Sequence, residues 1–454
     1  MLKIYDVMGS DKKIVMNNLN HSYMIAANQK NAENIVTHTK PTRDIPNYTK
    51  PTKISDETMS VAITTTKLCN MRCTYCYAMD NLIENDAINT NNMNFEEIKY
   101  FFDKQLPADK YKSISITYMG GEALVNFKTV YEVQQYIKST YDKTKFHVTT
   151  NGLLLEDKIS KHIKDWEGDE IIADWFNDNG ISIKVSCDGP KEIHDRTRIF
   201  GNGKGSYDKL FDMMYRLKKT HPRLIRRIQW SCTGDYGQGG PLIMRDKLIF
   251  FNNLLKNGLG VTFHLREAII PGYTPEQLKE WSSNLEQQLD IAVDWFLSKT
   301  HKDKSIKWPD LTNNYLRNFL TPRPKMMACG AGRNYITIGF NGEIHACQCV
   351  TDCKIGDAET GIDPKLRAPW LTTGSGWNPN CLDCDIRGVC AGTCPQHNKT
   401  HSETNDVDDN VEMKCVGNKL RMKTAMRLVT DLDRDHLYKL INKPVPERYK
   451  NKDK

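Results

Sequence analysis

Residues 59–77 run M-S-V-A-I-T-T-T-K-L-C-N-M-R-C-T-Y-C-Y. The β-branched run Met59–Thr65 predicts a strand, and the strand leads directly into Cys69, Cys73 and Cys76, which are spaced C-x3-C-x2-C. Three thiolates on one short loop can hold three irons of a cubane [4Fe–4S] cluster and leave the fourth iron with an open coordination position. The spacing therefore predicts a reactive iron–sulfur site at the end of a strand.

Two other kinds of metal site fit this loop less well. A zinc knuckle needs a fourth ligand nearby, and the first candidate is Asp80, a poor partner for three thiolates. A ferredoxin motif normally supplies a fourth cysteine of its own. The open cluster is therefore the favoured interpretation.

The composition is that of a polar protein with an unusual number of cysteines. The chain has 454 residues, enough for two or three domains, with a mean hydropathy of −0.58. No run approaches the roughly 18 apolar residues of a membrane span, and Lys3 precedes any apolar segment that a secretory signal would need. The net charge of +7 does not call for nucleic acid. Fourteen cysteines in a long chain without an export signal favour metal binding in the cytoplasm over a disulfide scaffold.

Five more short β runs follow the cysteine loop, and helical patterns lie between them. Strand and helix in alternation predict right-handed crossovers and a parallel sheet, here a partial (β/α)6 TIM-like barrel whose active site lies at the C-terminal strand ends. The predicted strands are Ile114–Tyr118, Phe146–Thr150, Ile181–Ser186, Arg227–Cys232 and Val261–Leu265. The predicted helices are Asn94–Leu106, Thr129–Ile137, Tyr207–Leu217, Lys247–Leu255 and Pro275–Leu297.

The predicted domain organisation has five parts. A small β extension or cap at 1–57 precedes the partial barrel at 58–300, and a proline-containing linker follows at 301–327. A cysteine-rich C-terminal domain at 328–433 ends in a helix whose apolar residues recur at three- and four-residue spacing. The last part, 434–454, is a basic tail expected to be disordered.

Polar residues follow three of the predicted strands at their C-terminal ends. The second strand ends in Gly120-Gly121-Glu122, where main-chain groups and a carboxylate can hold an ammonium group. The third ends at Asn151, in what is equally a plain turn, and the fourth in Ser186-Cys187-Asp188-Gly189-Pro190 followed by His194-Asp195-Arg196-Thr197-Arg198. Cys187 and Cys232 lie within strands and are expected to be small core residues.

The cysteine triad, the G-G-E element and the S-x-D-G-P…H-D-x-x-R combination together resemble the radical S-adenosylmethionine (SAM) enzymes that carry a SPASM (twitch-type) domain. The resemblance implies that Gly120, Gly121 and Glu122 bind the amino group of SAM. Ser186 and Asp188 would face the ribose or the substrate, and Arg198 would bind the methionyl carboxylate bidentately. Tyr75 and Asn151 are further candidate cofactor contacts. At the last strand, His264-Leu265-Arg266-Glu267 offers polar groups to a substrate, with Glu267 a candidate catalytic residue, although a structural ion pair explains them equally well.

The second field of cysteines resembles the seven-cysteine SPASM pattern. Cys329 is followed by Gly342 and Cys347, then by Cys381-x2-Cys384-x5-Cys390-x3-Cys394 and finally Cys415. A zinc ribbon would explain Cys381 and Cys384 alone. The resemblance implies two auxiliary [4Fe–4S] clusters. Cys329, Cys347 and Cys394 would hold the first, with Cys349 or Cys353 as a fourth ligand or with an iron open to substrate, and Cys381, Cys384, Cys390 and Cys415 would hold the second.

The implied activity is reductive cleavage of SAM to a 5′-deoxyadenosyl radical, which abstracts a hydrogen atom from a peptide or protein substrate. The expected outcome is a crosslink or thioether, an oxidation or an epimerisation, with flavodoxin or ferredoxin as electron donor. Sulfatase-maturating members carry an aspartate base after the second SPASM cysteine, where this chain has Gln348. Gln348 therefore favours a peptide modification that needs no such base over sulfatase maturation. Sulfatase maturation stays an alternative, as do a non-peptide substrate, a multi-cluster electron carrier and a zinc-stabilised interaction module.

Overall fold

The computed structural model describes residues 2–17, 23–38, 57–76, 92–234, 240–267, 273–321, 327, 329–349, 353–375, 378–402, 406–407 and 411–446. Its strands form one sheet of three and one sheet of ten. The strands of the larger sheet that carry the cysteine loop and its neighbours are β4 (Thr58–Thr66), β5 (Ser113–Gly120), β6 (Lys143–Thr150), β7 (Ser182–Ser186), β8 (Gln229–Gly234) and β9 (Thr262–Glu267).

These six strands are parallel and stand side by side in chain order. The predicted strands are therefore all present, with ends displaced by a few residues, and the parallel α/β fold class is confirmed. Right-handed crossovers between sequential neighbours place the intervening helices on a single face of the sheet. The C-terminal ends of the strands, where the motifs lie, meet along one edge.

The two faces of this sheet differ in character. In β7, Ile183 and Val185 are buried while Lys184 and Ser186 are half-buried, as period-2 alternation requires. The apolar side chains join a core cluster with the helices. The opposite face, lined by the alternate side chains of β5 to β9, is called the polar face below.

The five predicted helices are all present with ends displaced by a few residues, whereas the shorter helices Ile172–Asn179, Lys191–Thr197 and Pro222–Ile225 were not predicted. Asn94 caps the first barrel helix by accepting from the backbone of Glu96, and Thr274 and Gln277 form a capping box at the start of the longest helix. The helices are α1 (Gln29–His38), α2 (Phe95–Gln105), α3 (Phe127–Thr140), α4 (Ile172–Asn179), α5 (Lys191–Thr197), α6 (Tyr207–Thr220), α7 (Pro222–Ile225), α8 (Ile243–Lys256), α9 (Pro275–Thr300), α10 (Asn313–Leu320), α11 (Pro364–Thr372), α12 (Arg387–Cys390), α13 (Pro395–His401), α14 (Glu412–Asp431) and α15 (Arg434–Leu440).

The cysteine-rich C-terminal part continues the same sheet. Strand β10 (Tyr335–Ile338) pairs in parallel with β4, Tyr335 lying opposite Ser60, and β11 (Glu343–His345), β12 (Lys354–Asp357) and β13 (Gly361–Ile362) follow antiparallel. The strand that introduces the cysteine loop is therefore central in the sheet rather than at its edge. Sequence patterns did not indicate this pairing.

Two predicted irregular segments contain packed helices. The segment expected to be a linker holds α10, with Tyr315, Leu316 and Phe319 buried. The segment expected to be a disordered tail begins with α15, where the His436 ring lies 2.8 Å from the Thr300 hydroxyl. Both expectations were wrong for these residues, because prolines and charges around the helices masked short apolar stripes that only tertiary packing uses. Residues 447–454 lie outside the described part.

The N-terminal part is a small β extension, as expected, with one helix added. Strands β1 (Leu2–Asp6), β2 (Lys13–Asn17) and β3 (Tyr23–Ala26) form an antiparallel sheet, and α1 follows them. Residues 39–56 lie outside the described part. Among the helices that the structure describes, none is long and apolar enough to cross a bilayer.

Candidate active site

The loop with Cys69, Cys73 and Cys76 leaves the end of β4 and is held by the loop that follows α5. The Arg72 amide donates to the Ile199 carbonyl at 2.7 Å, and the Thr74 amide donates to the Thr197 carbonyl at 2.9 Å. These bonds hold the H-D-x-x-R segment beside the cysteines. Two motifs more than a hundred residues apart in sequence thus form one wall.

The three thiols of the loop lie within electrostatic range of one another. Burial raises the pKa of Cys69 to about 12, and the Glu122 carboxylate adds to this rise. Burial also raises the pKa of Cys73, whereas the Arg198 guanidinium, 3.9 Å from its Sγ atom, opposes the rise. Such thiols become thiolates only when positive charge is supplied, and iron supplies it. The loop therefore fits an iron–sulfur cluster.

Among the described residues, no group of three His, Cys, Asp or Glu side chains is arranged to hold a single metal ion. A cubane has a separate iron at each corner, so its ligands do not converge on one point. None of the cysteines that the structure describes is joined to another by a disulfide.

Gly120 and Gly121 allow the end of β5 to contact the start of the cysteine loop. A Cβ atom on Gly121 would lie 2.3 Å from the Leu68 carbonyl oxygen, and one on Gly120 would lie 2.3 Å from that of Thr66. The amides of Gly121 and Glu122 donate to the same two carbonyls at 2.9 and 2.8 Å. The sequence was interpreted as leaving room for a ligand here, and the structure shows the chain's own backbone in that space.

Glu122 joins the ends of β5 and β6. Its side chain is buried, and its two oxygens accept from the Thr150 hydroxyl at 2.7 Å and the Asn151 amide at 2.6 Å. The Leu124 amide adds a third bond at 3.1 Å. Burial raises the pKa of Glu122 although these bonds oppose it. The side-chain amide of Asn151 in turn donates to the side-chain oxygen of Asn70 in the cysteine loop at 2.6 Å.

Asp188 and Arg198 form a buried ion pair beside the loop. Arg198 Nε lies 3.0 Å from Asp188 Oδ2, the same oxygen accepts from the Tyr75 hydroxyl at 2.7 Å, and Oδ1 accepts from the Thr233 amide at 2.9 Å. Burial alone would raise the pKa of Asp188, but the charges of Arg198 and Lys247 hold it below its usual value. The guanidinium also lies over the Tyr75 ring at 5.4 Å. Three of the predicted SAM contacts are therefore bonded to one another, and Ser186 ends the strand that leads into them.

His194 completes this network and was not singled out from the sequence. Its Nδ1 atom lies 3.4 Å from the Asp188 amide and its Nε2 atom 3.0 Å from the Ser206 hydroxyl, which donates to the Arg198 carbonyl at 2.9 Å. Burial lowers the pKa of His194 to about 4, so the ring is neutral at pH 7. The sequence signal that could have identified His194 is its place as the first residue of the H-D-x-x-R segment.

The later cysteines form two groups. Cys394 lies within electrostatic range of Cys329 and Cys347. Cys390 lies within the same kind of range of Cys381, Cys384 and Cys415. This is the division that the resemblance implied, although ligation itself stays a prediction. Asn418 was missed: its amide donates to Cys390 Sγ at 3.1 Å from α14.

Cys349 and Cys353, the two candidates for the extra ligand, have different surroundings. The Cys349 thiol is hydrogen-bonded to that of Cys347. Cys353 is buried, and its thiol donates to the backbone carbonyls of Cys349 at 3.0 Å and Cys347 at 3.5 Å. Gln348, between Cys347 and Cys349 in the chain, accepts from the Tyr335 hydroxyl at 2.6 Å.

The polar side chains of His264 and Arg266 on β9 are paired with neighbouring side chains of the protein itself. Arg266 donates to both oxygens of Asp310 at 2.9 and 2.7 Å, and His264 lies 3.0 Å from Asp310 and 3.1 Å from Gln229. This is the ion pair that the sequence left open. Only the backbone of Glu267 is described, so its predicted catalytic role concerns a side chain outside the described part.

Comparisons with known proteins identify a family match and several relatives. Residues 63–227 match the radical SAM superfamily. The chain is similar to the serine-type anaerobic sulfatase-maturating enzyme of Bacteroides thetaiotaomicron, with 22% identity over 375 residues that cover 77% of this chain and 85% of the relative. It is also similar to the radical SAM cyclopropyl synthase TigE of Paramaledivibacter caminithermalis, with 21% identity over 75% of this chain and 68% of the relative.

A solved structure shares the fold. Native anSMEcpe with bound AdoMet and a peptide superposes with a TM-score of 0.61 at 15% identity, covering 84% of this chain and 98% of that one. The match extends well beyond residues 63–227.

Proposed function

Because the chain is a radical SAM enzyme, a family whose cofactors are a [4Fe–4S] cluster and SAM, we propose that it removes a hydrogen atom from a side chain of a peptide or protein and so modifies that substrate after translation. The observation that carries this proposal is the bonding of the cysteine loop to the Asp188–Arg198 pair. Its relatives include an anaerobic sulfatase-maturating enzyme, and a solved structure that shares the fold contains a bound peptide.

Cys69, Cys73 and Cys76 are the residues that would hold the cluster. When bound, the cluster and SAM supply a carbon-centred radical capable of abstracting hydrogen from an unactivated carbon. Arg198 favours the thiolate form of Cys73 by its charge. Reductive cleavage of SAM also requires one electron, which a donor such as flavodoxin or ferredoxin would supply.

The chain's own residues orient and enclose the site. Glu122 binds the end of β6 to the end of β5, and Asn151 extends this connection to the cysteine loop. Asp188 binds the Tyr75 hydroxyl and the Arg198 guanidinium beside the same cysteine loop. Because these groups are bonded before any ligand arrives, they resist reorganisation when SAM binds. Ser186, Gly120 and Gly121 remain the proposed SAM contacts from neighbouring strand ends.

We assign two auxiliary clusters to a SPASM domain at 328–433, beside a radical SAM barrel at 58–300. Cys329, Cys347 and Cys394 would hold the first with Cys349 as the fourth ligand, because the Cys349 thiol already contacts the Cys347 thiol whereas that of Cys353 donates to carbonyls. Cys381, Cys384, Cys390 and Cys415 would hold the second. Cys353 is then a structural residue.

Sulfatase maturation is the second candidate, and the names of the relatives favour it. Against it stands Gln348, the residue at the position of the expected base. A carboxamide does not take up a proton at neutral pH, and this one accepts from Tyr335. We therefore favour a peptide modification that needs no base at position 348.

Anaerobic reconstitution tests the proposal. We expect about twelve irons per chain, four for each of three cubanes, and 5′-deoxyadenosine on reduction with SAM. Replacing Cys69, Cys73 and Cys76 by Ala should abolish SAM cleavage and remove about four irons, while the others remain. Zinc in place of iron, or full iron without SAM cleavage, contradicts the proposal. A sulfatase peptide converted to formylglycine would establish the second candidate instead.

A further inference from the structure

Lys184 lies in the middle of β7, on the polar face of the sheet. It stands in register with Thr149 of β6 and Gln229 of β8, both uncharged. Its side chain is half-buried. Within the described residues, no ion pair or hydrogen bond is made by its ammonium group, and neither of its two neighbours in register offers it an anion.

The described acidic side chain that acts electrostatically on Lys184 is already paired with other groups. Asp310 is the carboxylate that influences Lys184, and both of its oxygens accept from Arg266 while His264 binds one of them. The electrostatic neighbours of Lys184 on the described face also include His147 and Arg266. The local balance of charge is therefore positive.

A partly buried cation without a partner is costly. Burial lowers the pKa of Lys184, the charge of Arg266 lowers it further, and Asp310 only partly opposes them. Residues facing the same side of a strand are about 7 Å apart along it, so Lys184 stands one such step below Ser186 and the proposed SAM contacts. A single substrate molecule could therefore place an anionic group at Lys184 and its reacting carbon beside the proposed SAM contacts.

We propose that Lys184 binds a carboxylate of the substrate, so that the modified peptide carries an Asp or Glu side chain or a C-terminal carboxylate close to the reacting carbon. This inference rests on the proposed function for its substrate class. A single ammonium beside an already neutralised Asp310 suits one carboxylate better than the repeated phosphates of a nucleic acid.

Binding of defined peptide pools tests the site directly. The first pool contains N-acetylated, C-terminally amidated hexapeptides with all positions randomised, so Asp and Glu are its sole carboxylates. A second pool with free C-termini distinguishes a terminal carboxylate from a side chain. Peptides retained by the reconstituted enzyme with SAM are identified by mass spectrometry. Lys184→Met and Lys184→Glu are compared with Lys219→Met, the same change at an exposed lysine of α6.

We expect about tenfold enrichment of acidic over amide peptides in the wild type, equivalent to about 1.4 kcal/mol, in one of the two pools. Lys184→Met should lose it, Lys184→Glu should retain basic peptides instead, and Lys219→Met should behave as the wild type. Lys184→Met is also expected to melt no lower than the wild type, because it removes an unpaired cation. Lys184→Gln serves as a second variant if it does not fold.

Equal acidic enrichment in wild type and Lys184→Met, or none in the wild type, overturns the inference. So does a loss of SAM affinity in Lys184→Met with peptide selection unchanged, because Lys184 would then serve SAM. 5′-Deoxyadenosine formation without peptide is measured in parallel. If it is absent while acidic peptides are still selected, the proposed reaction fails and the carboxylate site stands.

Discussion

The Nε atom of Arg198 lies 3.0 Å from Oδ2 of Asp188, with both side chains almost fully buried. The pair joins the end of β7 to the loop after α5, and it stands directly beside the cysteines. Its partners are the Tyr75 hydroxyl and the Cys73 thiol. One ion pair thus supports both the fold and the cofactor loop.

Removing the acidic member of this pair should destabilise the protein strongly. Asp188→Asn leaves a buried guanidinium without its counter-charge, for which about 3–5 kcal/mol of unfolding free energy is the usual loss. Urea unfolding of the metal-free protein measures it. Asp169→Asn, which breaks an exposed pair with Lys158, is the control and should leave the transition where it is. Equal stability of wild type and Asp188→Asn would contradict a structural role for the pair.

Replacing the basic member should make Cys73 less reactive. A positive neighbour favours the thiolate, so Arg198→Met raises the pKa of Cys73 above its already raised value. Alkylation of the metal-free protein at fixed pH, resolved by peptide mass spectrometry, should slow at Cys73. Cys415 in the same sample serves as internal reference, since no contact links it to Arg198. A Cys73 rate that is unchanged or higher would show that the guanidinium does not act on this thiol.

His194 should make stability depend on pH. Its pKa is about 4 in the folded protein and near 6.5 in an unfolded chain, so the unfolded state binds the proton first. Its contribution to stability is complete above pH 6.5 and is lost as the pH falls toward 4, on the order of 3 kcal/mol in total. The difference between wild type and His194→Asn in urea unfolding should therefore shrink with acidification. A difference independent of pH would mean that His194 is not held neutral.

Gly121 should tolerate no side chain. In Gly121→Ala the methyl group would meet the Leu68 carbonyl oxygen at 2.3 Å, at a cost of about 1–3 kcal/mol for overpacking, and it would displace the cysteine loop. We expect loss of about four irons per chain after reconstitution. Gly201→Ala, where a Cβ meets nothing within 4 Å, should keep them all. Full iron in Gly121→Ala would show that the loop accommodates the shift.

Cys349 and Cys353 should respond differently to removal of their thiols. Cys349→Ser should lower the iron of the first auxiliary site, giving about eight to eleven irons instead of about twelve. Cys353→Ser should keep the iron, since its thiol donates to backbone carbonyls and a hydroxyl can do the same. Iron analysis and electron paramagnetic resonance of the reduced proteins distinguish them. The reverse pattern would make Cys353 the ligand.

Local sequence patterns predicted the six parallel strands from β4 to β9 and five of the helices that follow them, because period-2 and period-3.6 repeats depend on neighbours in the chain. They failed at α10 and α15, whose short apolar stripes are buried by tertiary packing, α10 against α14 and α15, and α15 also against Thr300 of α9. They also could not show that β10 pairs with β4, since that contact joins residues far apart in sequence.

Residues 59–77 by themselves determined that a strand ends in an open set of three thiols. Tertiary structure alone decided how the charges of the strand-end region are paired: Asp188 neutralises Arg198, Glu122 is bonded to the end of β6, and Asp310 is paired with Arg266. The physical reason is that the pairing of a buried charge depends on distances between chain segments that only the folded sheet brings together. The same pairing leaves Lys184 as a half-buried cation that makes no ion pair with the described residues.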